Sequence, residues 1–163
     1  MLKMKALIVY FSLTGNTEKL ALLLEEELIN RGLDVEKIKV EGGEGSFMGE
    51  CLRALFQQKV SLEGKDVGPY DLILIGSPVW AFSPVPAILT FVSNSEGWEG
   101  KKVLLFFTFG SGLGKERAEI ILRKKIQERQ GEVVSSLRIK GSTLKNAERV
   151  RERVKFFLDS SLP

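Results

Sequence analysis

The sequence predicts an α/β domain of the doubly wound type: a five-stranded parallel sheet of order 2-1-3-4-5 with helices on both faces, in three layers. Three observations carry that expectation. Five short apolar segments alternate along the chain with five segments whose apolar residues recur every three or four positions, the rhythm of strands separated by crossover helices. The run Leu72-Ile73-Leu74-Ile75 is apolar without alternation, as a strand buried on both faces is, and Val103-Leu104-Leu105-Phe106-Phe107 is a further apolar strand segment. The first apolar run leads through a hydroxyl-rich turn directly into a helical pattern. At 163 residues the chain fits one domain spanning 1–163 and can bury a sizeable core.

Each element follows in order. Leu7-Ile8-Val9-Tyr10-Phe11 reads as the first buried strand. The helix after Thr17 places Leu20, Leu23, Leu24 and Leu28 on one face. Leu33 to Val40 alternates with one slip of phase, as an edge strand does. Glu41-Gly42-Gly43-Glu44-Gly45 reads as a turn, and a helix is expected over about Phe47 to Lys59. Tyr70 to Gly76 is the third strand, Ser77 to Pro86 a proline-rich loop, and a helix follows to about Ser93. Lys102 to Phe109 is the fourth strand, and Gly110 to Gly114 a flexible loop. Ala118, Ile121 and Leu122 mark the next helix, Val133 to Ile139 the fifth strand, and Leu144, Ala147, Val150, Val154, Phe157 and Leu158 the stripe of the last helix. Crossovers in such a sheet are right-handed.

The turn Ser12-Leu13-Thr14-Gly15-Asn16-Thr17 carries the chemistry. The first amides of a helix lack partners within it, and the helix dipole adds positive character there. Ser12, Thr14 and Thr17 add hydroxyls, Asn16 an amide, and Gly15 a tight turn and close backbone approach. This is a site for phosphate built without Lys or Arg. Ser, Thr and Asn are also common helix caps that hold no ligand. No Gly-Lys-Ser/Thr follows and no G-x-G-x-x-G is present, so the turn is neither a P-loop nor a dinucleotide fingerprint. In a doubly wound sheet ligands bind outside the carboxyl ends of the strands, at the switch point. There the turn meets two other loops, Ser77 to Pro86 and Thr108 to Gly114. Trp80 could stack on a flat ring, or pack beneath the next helix or at a subunit interface; Phe82 is open to the same roles.

Tyr10-Phe11-Ser12-Leu13-Thr14-Gly15-Asn16-Thr17 resembles the phosphate loop of the flavodoxins, Ser/Thr-x-Thr-Gly-x-Thr after the first strand. The stretch Tyr70 to Trp80 resembles the third strand and second flavin loop of short flavodoxin-like proteins. The resemblance implies FMN as cofactor, with Ser12, Leu13, Thr14, Gly15, Asn16 and Thr17 around its phosphate. It implies Pro78, Val79, Trp80, Ala81 and Phe82 along the flavin ring. It also implies Thr108, Phe109, Gly110, Ser111 and Gly112 at the other face and the pyrimidine end. Many flavodoxins carry an acidic residue and an aromatic stacker in that third loop; Gly110 to Gly114 has neither. The family stabilises one-electron-reduced flavin through a peptide flip at a Gly in the second loop, and no Gly stands between Val79 and Phe82. Weaker stabilisation of that state is the expectation.

Composition excludes several classes. The chain has no His and one Cys, Cys51. No internal disulfide can form, Ser-His-Asp and Cys-His triads cannot be built, and no metal site is expected. Cys51 falls on an apolar helical face with Met48, Leu52, Leu55 and Phe56 and reads as a core residue. Twenty-four basic against 21 acidic residues give a net charge of +3. The basic clusters lack interleaved aromatics, so a solvated surface is expected rather than nucleic-acid binding. A slightly basic surface suits acidic partners or small molecules. No apolar run reaches the ~20 residues a membrane span requires, and the N-terminus enters the first strand without a signal-peptide pattern. These features predict a cytoplasmic protein; the resemblance implies a monomer or homodimer that passes electrons through FMN to a redox partner protein or small-molecule acceptor. A small FMN-dependent NAD(P)H oxidoreductase of the quinone-reductase kind, and a flavin-free interaction module of the same fold, stand as alternatives.

Overall fold

The computed structural model describes residues 2–41 and 64–163. The expected helix over Phe47 to Lys59 and the reading of Cys51 lie outside the described residues. Strand β1 (Lys5–Tyr10) feeds helix α1 (Asn16–Asn30), and strand β2 (Asp34–Lys39) follows. Next come β3 (Leu72–Trp80), the two-residue strand β4 (Ser83–Pro84) and α2 (Pro86–Asn94). The chain closes with β5 (Lys102–Phe109), α3 (Lys115–Glu128), β6 (Glu132–Lys140), a 3₁₀ turn (Gly141–Lys145) and α4 (Ala147–Ser161).

The sheet order is β2-β1-β3-β5-β6, all pairs parallel, with β4 folded back antiparallel on β3. The five main strands keep the predicted order, and the additional strand comes from the stretch expected to be loop. β3 continues through Ser77-Pro78-Val79-Trp80 and turns at Ala81-Phe82. Pro78 is tolerated because β1 pairs with β3 only as far as Gly76, so the missing N–H of Pro78 breaks no ladder bond on that side. Leu144 falls in the 3₁₀ turn rather than in the last helix.

Alternation along the strands divides the core into two layers. Leu7, Val9, Ile73, Ile75, Val103, Leu105 and Phe107 face α2 and α3. Ala6, Ile8, Tyr10, Leu72, Leu74, Leu104 and Phe106 face α1 and α4. Leu20, Leu24 and Leu28 of α1 are fully buried, each contributing about 1.5–3 kcal/mol. These faces hold the N-terminus of α1 over the carboxyl ends of β1, β3 and β5.

Gly76 admits the Phe106 ring at the centre of the sheet. A Cβ there would lie 2.1 Å from two Phe106 ring carbons, and Phe106 is fully buried. Gly76→Ala is expected to cost about 1–3 kcal/mol through overpacking, read as a lower urea midpoint with an unchanged slope.

Candidate functional site

The turn after β1 folds around one hydroxyl. Ser12 Oγ accepts the amide hydrogens of Gly15 and Glu18, each at 3.2 Å, and Gly15 takes φ +90°. Helix geometry leaves the amides of Asn16 and Thr17 without a carbonyl in α1. A Cβ on Gly15 would meet nothing within 4 Å, so its backbone borders open space.

Thr17 is buried, and its hydroxyl lies 2.7 Å from that of buried Thr108 at the end of β5. This pair, 91 positions apart, ties the first loop to the third. Ser77 ties the second: its Oγ accepts from the Val85 amide at 3.0 Å and donates to the Pro78 carbonyl at 2.8 Å. The turn between these contacts has φ +45° at Ala81 and +65° at Phe82. Two-residue hairpins prefer such angles and ordinarily place Asn or Gly there. Here two side chains bear the strain. Phe82 is half-exposed and rests on Gly114, where a Cβ would come within 2.2 Å of its ring.

The three loops surround a cavity of about 650 Å³, within the range of small-molecule sites. Of the residues singled out from sequence, Thr14, Asn16, Pro78, Val79, Trp80, Thr108, Phe109 and Gly110 line it. Ser12 and Thr17 are engaged in the bonds described above, Gly15 shapes the turn, and Leu13 is exposed. Ala81, Phe82, Ser111 and Gly112 do not line the cavity. Trp80 lines it with the Phe11 ring packed edge-on, centroids 5.4 Å apart at 86°. Phe109 lines it from the adjacent strand and carries the Lys115 ammonium 5.0 Å from its ring centre. It supplies an aromatic group on the β5 side, one position before the segment in which the sequence shows none.

Lys19, Lys140, Gly141, Ser142, Leu144 and Lys145 also line the cavity, and sequence reasoning missed them. The β5–β6 register sets Lys140 beside Phe109. Gly141 then passes so close to the first loop that a Cβ would stand 2.8 Å from Asn16 Nδ2. The glycine directly after β6 was the signal available for this approach.

Glu18, in the first turn of α1, faces the opposite way. Its carboxylate accepts the Tyr10 hydroxyl at 3.0 Å and pairs with Lys39 at 3.4 Å. The Tyr10 hydrogen bond first, and the nearby lysines after it, hold the Glu18 carboxyl below its usual range. Burial, reinforced by Glu18, pushes Tyr10 up to about 12.

A parallel sheet of this order, with three loops converging beyond β1, β3 and β5, defines a flavodoxin-type domain. The sequence pattern of the family described as Flavodoxin matches residues 8–153, and the chain belongs to the flavodoxin family. FMN is the cofactor of that family. Solved structures agree on the fold. Oxidised flavodoxin 2 from Bacillus cereus is 24% identical with a TM-score of 0.66, covering 95% of this chain and 98% of that one. Two-electron reduced Megasphaera elsdenii flavodoxin is 22% identical with a TM-score of 0.61, covering 92% and 96%. The apo form of an NADH:FMN oxidoreductase is 16% identical with a TM-score of 0.65, covering 96% and 90%. No curated protein matches the chain.

Two outcomes follow from the loop contacts. Thr17→Val and Thr108→Val should each cost about 1–3 kcal/mol by orphaning a buried hydroxyl. The double variant should cost less than their sum, measured as a double-mutant cycle in urea. Ala81→Gly should stabilise by about 0.5 kcal/mol: relief of ~1–2 kcal/mol of left-handed strain exceeds the ~0.4–1 kcal/mol lost to a freer unfolded chain. A lower melting temperature for Ala81→Gly would contradict that.

Proposed function

We propose that this flavodoxin-family domain, residues 1–163, binds FMN and passes electrons through it between a redox partner and an acceptor. The carrying observation is the cavity itself, in which an amide- and hydroxyl-rich helix start faces two aromatic side chains from adjacent strands. The residues fit the group. The backbones at Gly15 and Gly110 border open space, which allows close approach of a polar ligand. In this reading Thr14, Asn16 and the first amides of α1 would hold the phosphate. Trp80 and Phe109 would flank the ring, and the backbone of Pro78, Val79, Thr108 and Gly110 would offer its polar atoms hydrogen bonds. Ala81 and Phe82 hold the hairpin that presents Trp80, and Ser111 and Gly112 extend the third loop beside it. Bound FMN supplies reversible acceptance and release of electrons; the protein contributes binding, orientation and exclusion of water from the ring. A cytoplasmic setting and a monomer or homodimer belong to the same reading.

A small FMN-dependent NAD(P)H oxidoreductase is the second reading. The hairpin turn favours it, since both φ angles at Ala81 and Phe82 are already positive with side chains attached. A peptide flip there lacks the freedom a glycine provides.

Titrating the apo chain with FMN should shift the visible flavin bands and quench flavin fluorescence. Trp80→Ala should weaken binding about tenfold, the scale of one lost aromatic stack. Anaerobic reduction of the loaded protein separates the two readings. Two resolved steps indicate the carrier; a single two-electron step with NAD(P)H turnover indicates the oxidoreductase. A folded chain that leaves the FMN spectrum unchanged would falsify both.

A further inference from the structure

Three lysines border the candidate cofactor cavity from separate parts of the chain. Lys19 comes from α1, Lys140 from the end of β6 and Lys145 from the 3₁₀ turn. No Asp or Glu lines the cavity among the described residues. None of the three lysines pairs with a carboxylate among those residues, whereas Lys37, Lys39, Lys65 and Lys115 each do. Two acidic groups beside the first and third loops are committed elsewhere. Glu18 serves Tyr10 and Lys39, and Glu116 serves Lys115 and Arg138. A ligand anion would supply the counter-charge the cavity lacks among the described residues, and the same cavity carries the helix-start amides that favour one.

We propose that Lys19, Lys140 and Lys145 form a cationic collar that binds the phosphate monoester of the cofactor together with Thr14, Asn16 and the α1 amides. The inference rests on the FMN reading and assigns phosphate recognition to net charge as well as to amides. The collar is assembled where Gly141 passes Asn16, bringing the end of β6 to the first loop. Two consequences follow. Affinity for FMN weakens as salt rises, because the collar is solvent-accessible and therefore screened. Affinity also weakens as pH falls through the second phosphate ionisation at about 6, since the monoanion offers less charge to the three ammonium groups.

The test titrates the apo chain with FMN and with riboflavin, following fluorescence quenching, and uses inorganic phosphate as a competitor. Lys19→Gln, Lys140→Gln, Lys145→Gln and the triple variant are compared with Lys124→Gln, which removes an exposed charge on α3. Each single collar variant should weaken FMN about threefold to tenfold, the scale of one charged hydrogen bond or ion pair. The triple variant should weaken FMN about a hundredfold if the sites add. Riboflavin affinity should stay within twofold, Lys124→Gln should behave as wild type, and the salt dependence of FMN binding should flatten in the triple variant. Inorganic phosphate should compete with FMN and not with riboflavin. Circular dichroism of the triple variant confirms that the fold persists. An unchanged FMN-to-riboflavin ratio in the triple variant overturns the proposal, and is also the result expected if the lysines serve an acidic partner protein. A wild-type chain that binds neither flavin is a separate outcome, which removes the FMN reading and the collar with it.

Discussion

A parallel sheet covered on both faces has only its ends free for chemistry. In this chain β1, β3 and β5 are buried on both sides by two helix layers, so side chains along them are committed to packing. Parallel pairing sends every strand in the same direction, and every carboxyl end therefore opens on one edge. The helix that follows β1 must start at that edge, with its unpartnered amides facing outward. Everything proposed about the site depends on this constraint. The hydroxyls, the aromatic pair and the lysines matter because the sheet delivers their loops to one place.

Long-range hydroxyl contacts then set the loops relative to one another. Thr17 against Thr108 joins the first loop to the third, and Ser77 against Val85 closes the hairpin that carries Trp80. Buried polar groups are costly unless paired, so these contacts specify the arrangement more than they add stability. The hairpin illustrates the balance. Ala81 and Phe82 occupy angles that glycine or asparagine would take more easily, yet Phe82 covers Gly114 and links the turn to the start of α3. Strained backbone of this kind clusters at ligand clamps and switch regions.

Electrostatics divides along the same line. The chain is only slightly basic, with a net charge of +3, and Lys37, Lys39, Lys65 and Lys115 pair with carboxylates. The imbalance is local. Composition predicted a general preference for acidic partners or small molecules, whereas the fold collects around one cavity three ammonium groups that pair with no carboxylate among the described residues. An average over the surface cannot report such a concentration, because it depends on where β6 and the 3₁₀ turn come to rest.

Periodicity and turn chemistry in the sequence were sufficient for the alternation of strands and helices, the helix layers on both faces and the first loop, because each is encoded by neighbours; the strand order followed only from matching that alternation to the doubly wound arrangement. Alternation sends Leu7 and Ile8 to opposite faces, and Gly15 and Asn16 belong to the turn that follows their own strand. The same local logic misread Ser77 to Trp80, where prolines suggested a loop but the absence of β1 pairing beyond Gly76 lets the strand continue. It could not reveal the partnership of Thr17 with Thr108 or of Gly141 with Asn16, which lie 91 positions and more than a hundred residues apart. It could not show that Phe109, which the resemblance placed at the other flavin face, stands beside Lys140, because that is set by the β5–β6 register. Local sequence determined what each segment is. Tertiary structure alone decided which side chains share the cavity, because strand register and helix packing are negotiated between segments that carry no record of one another.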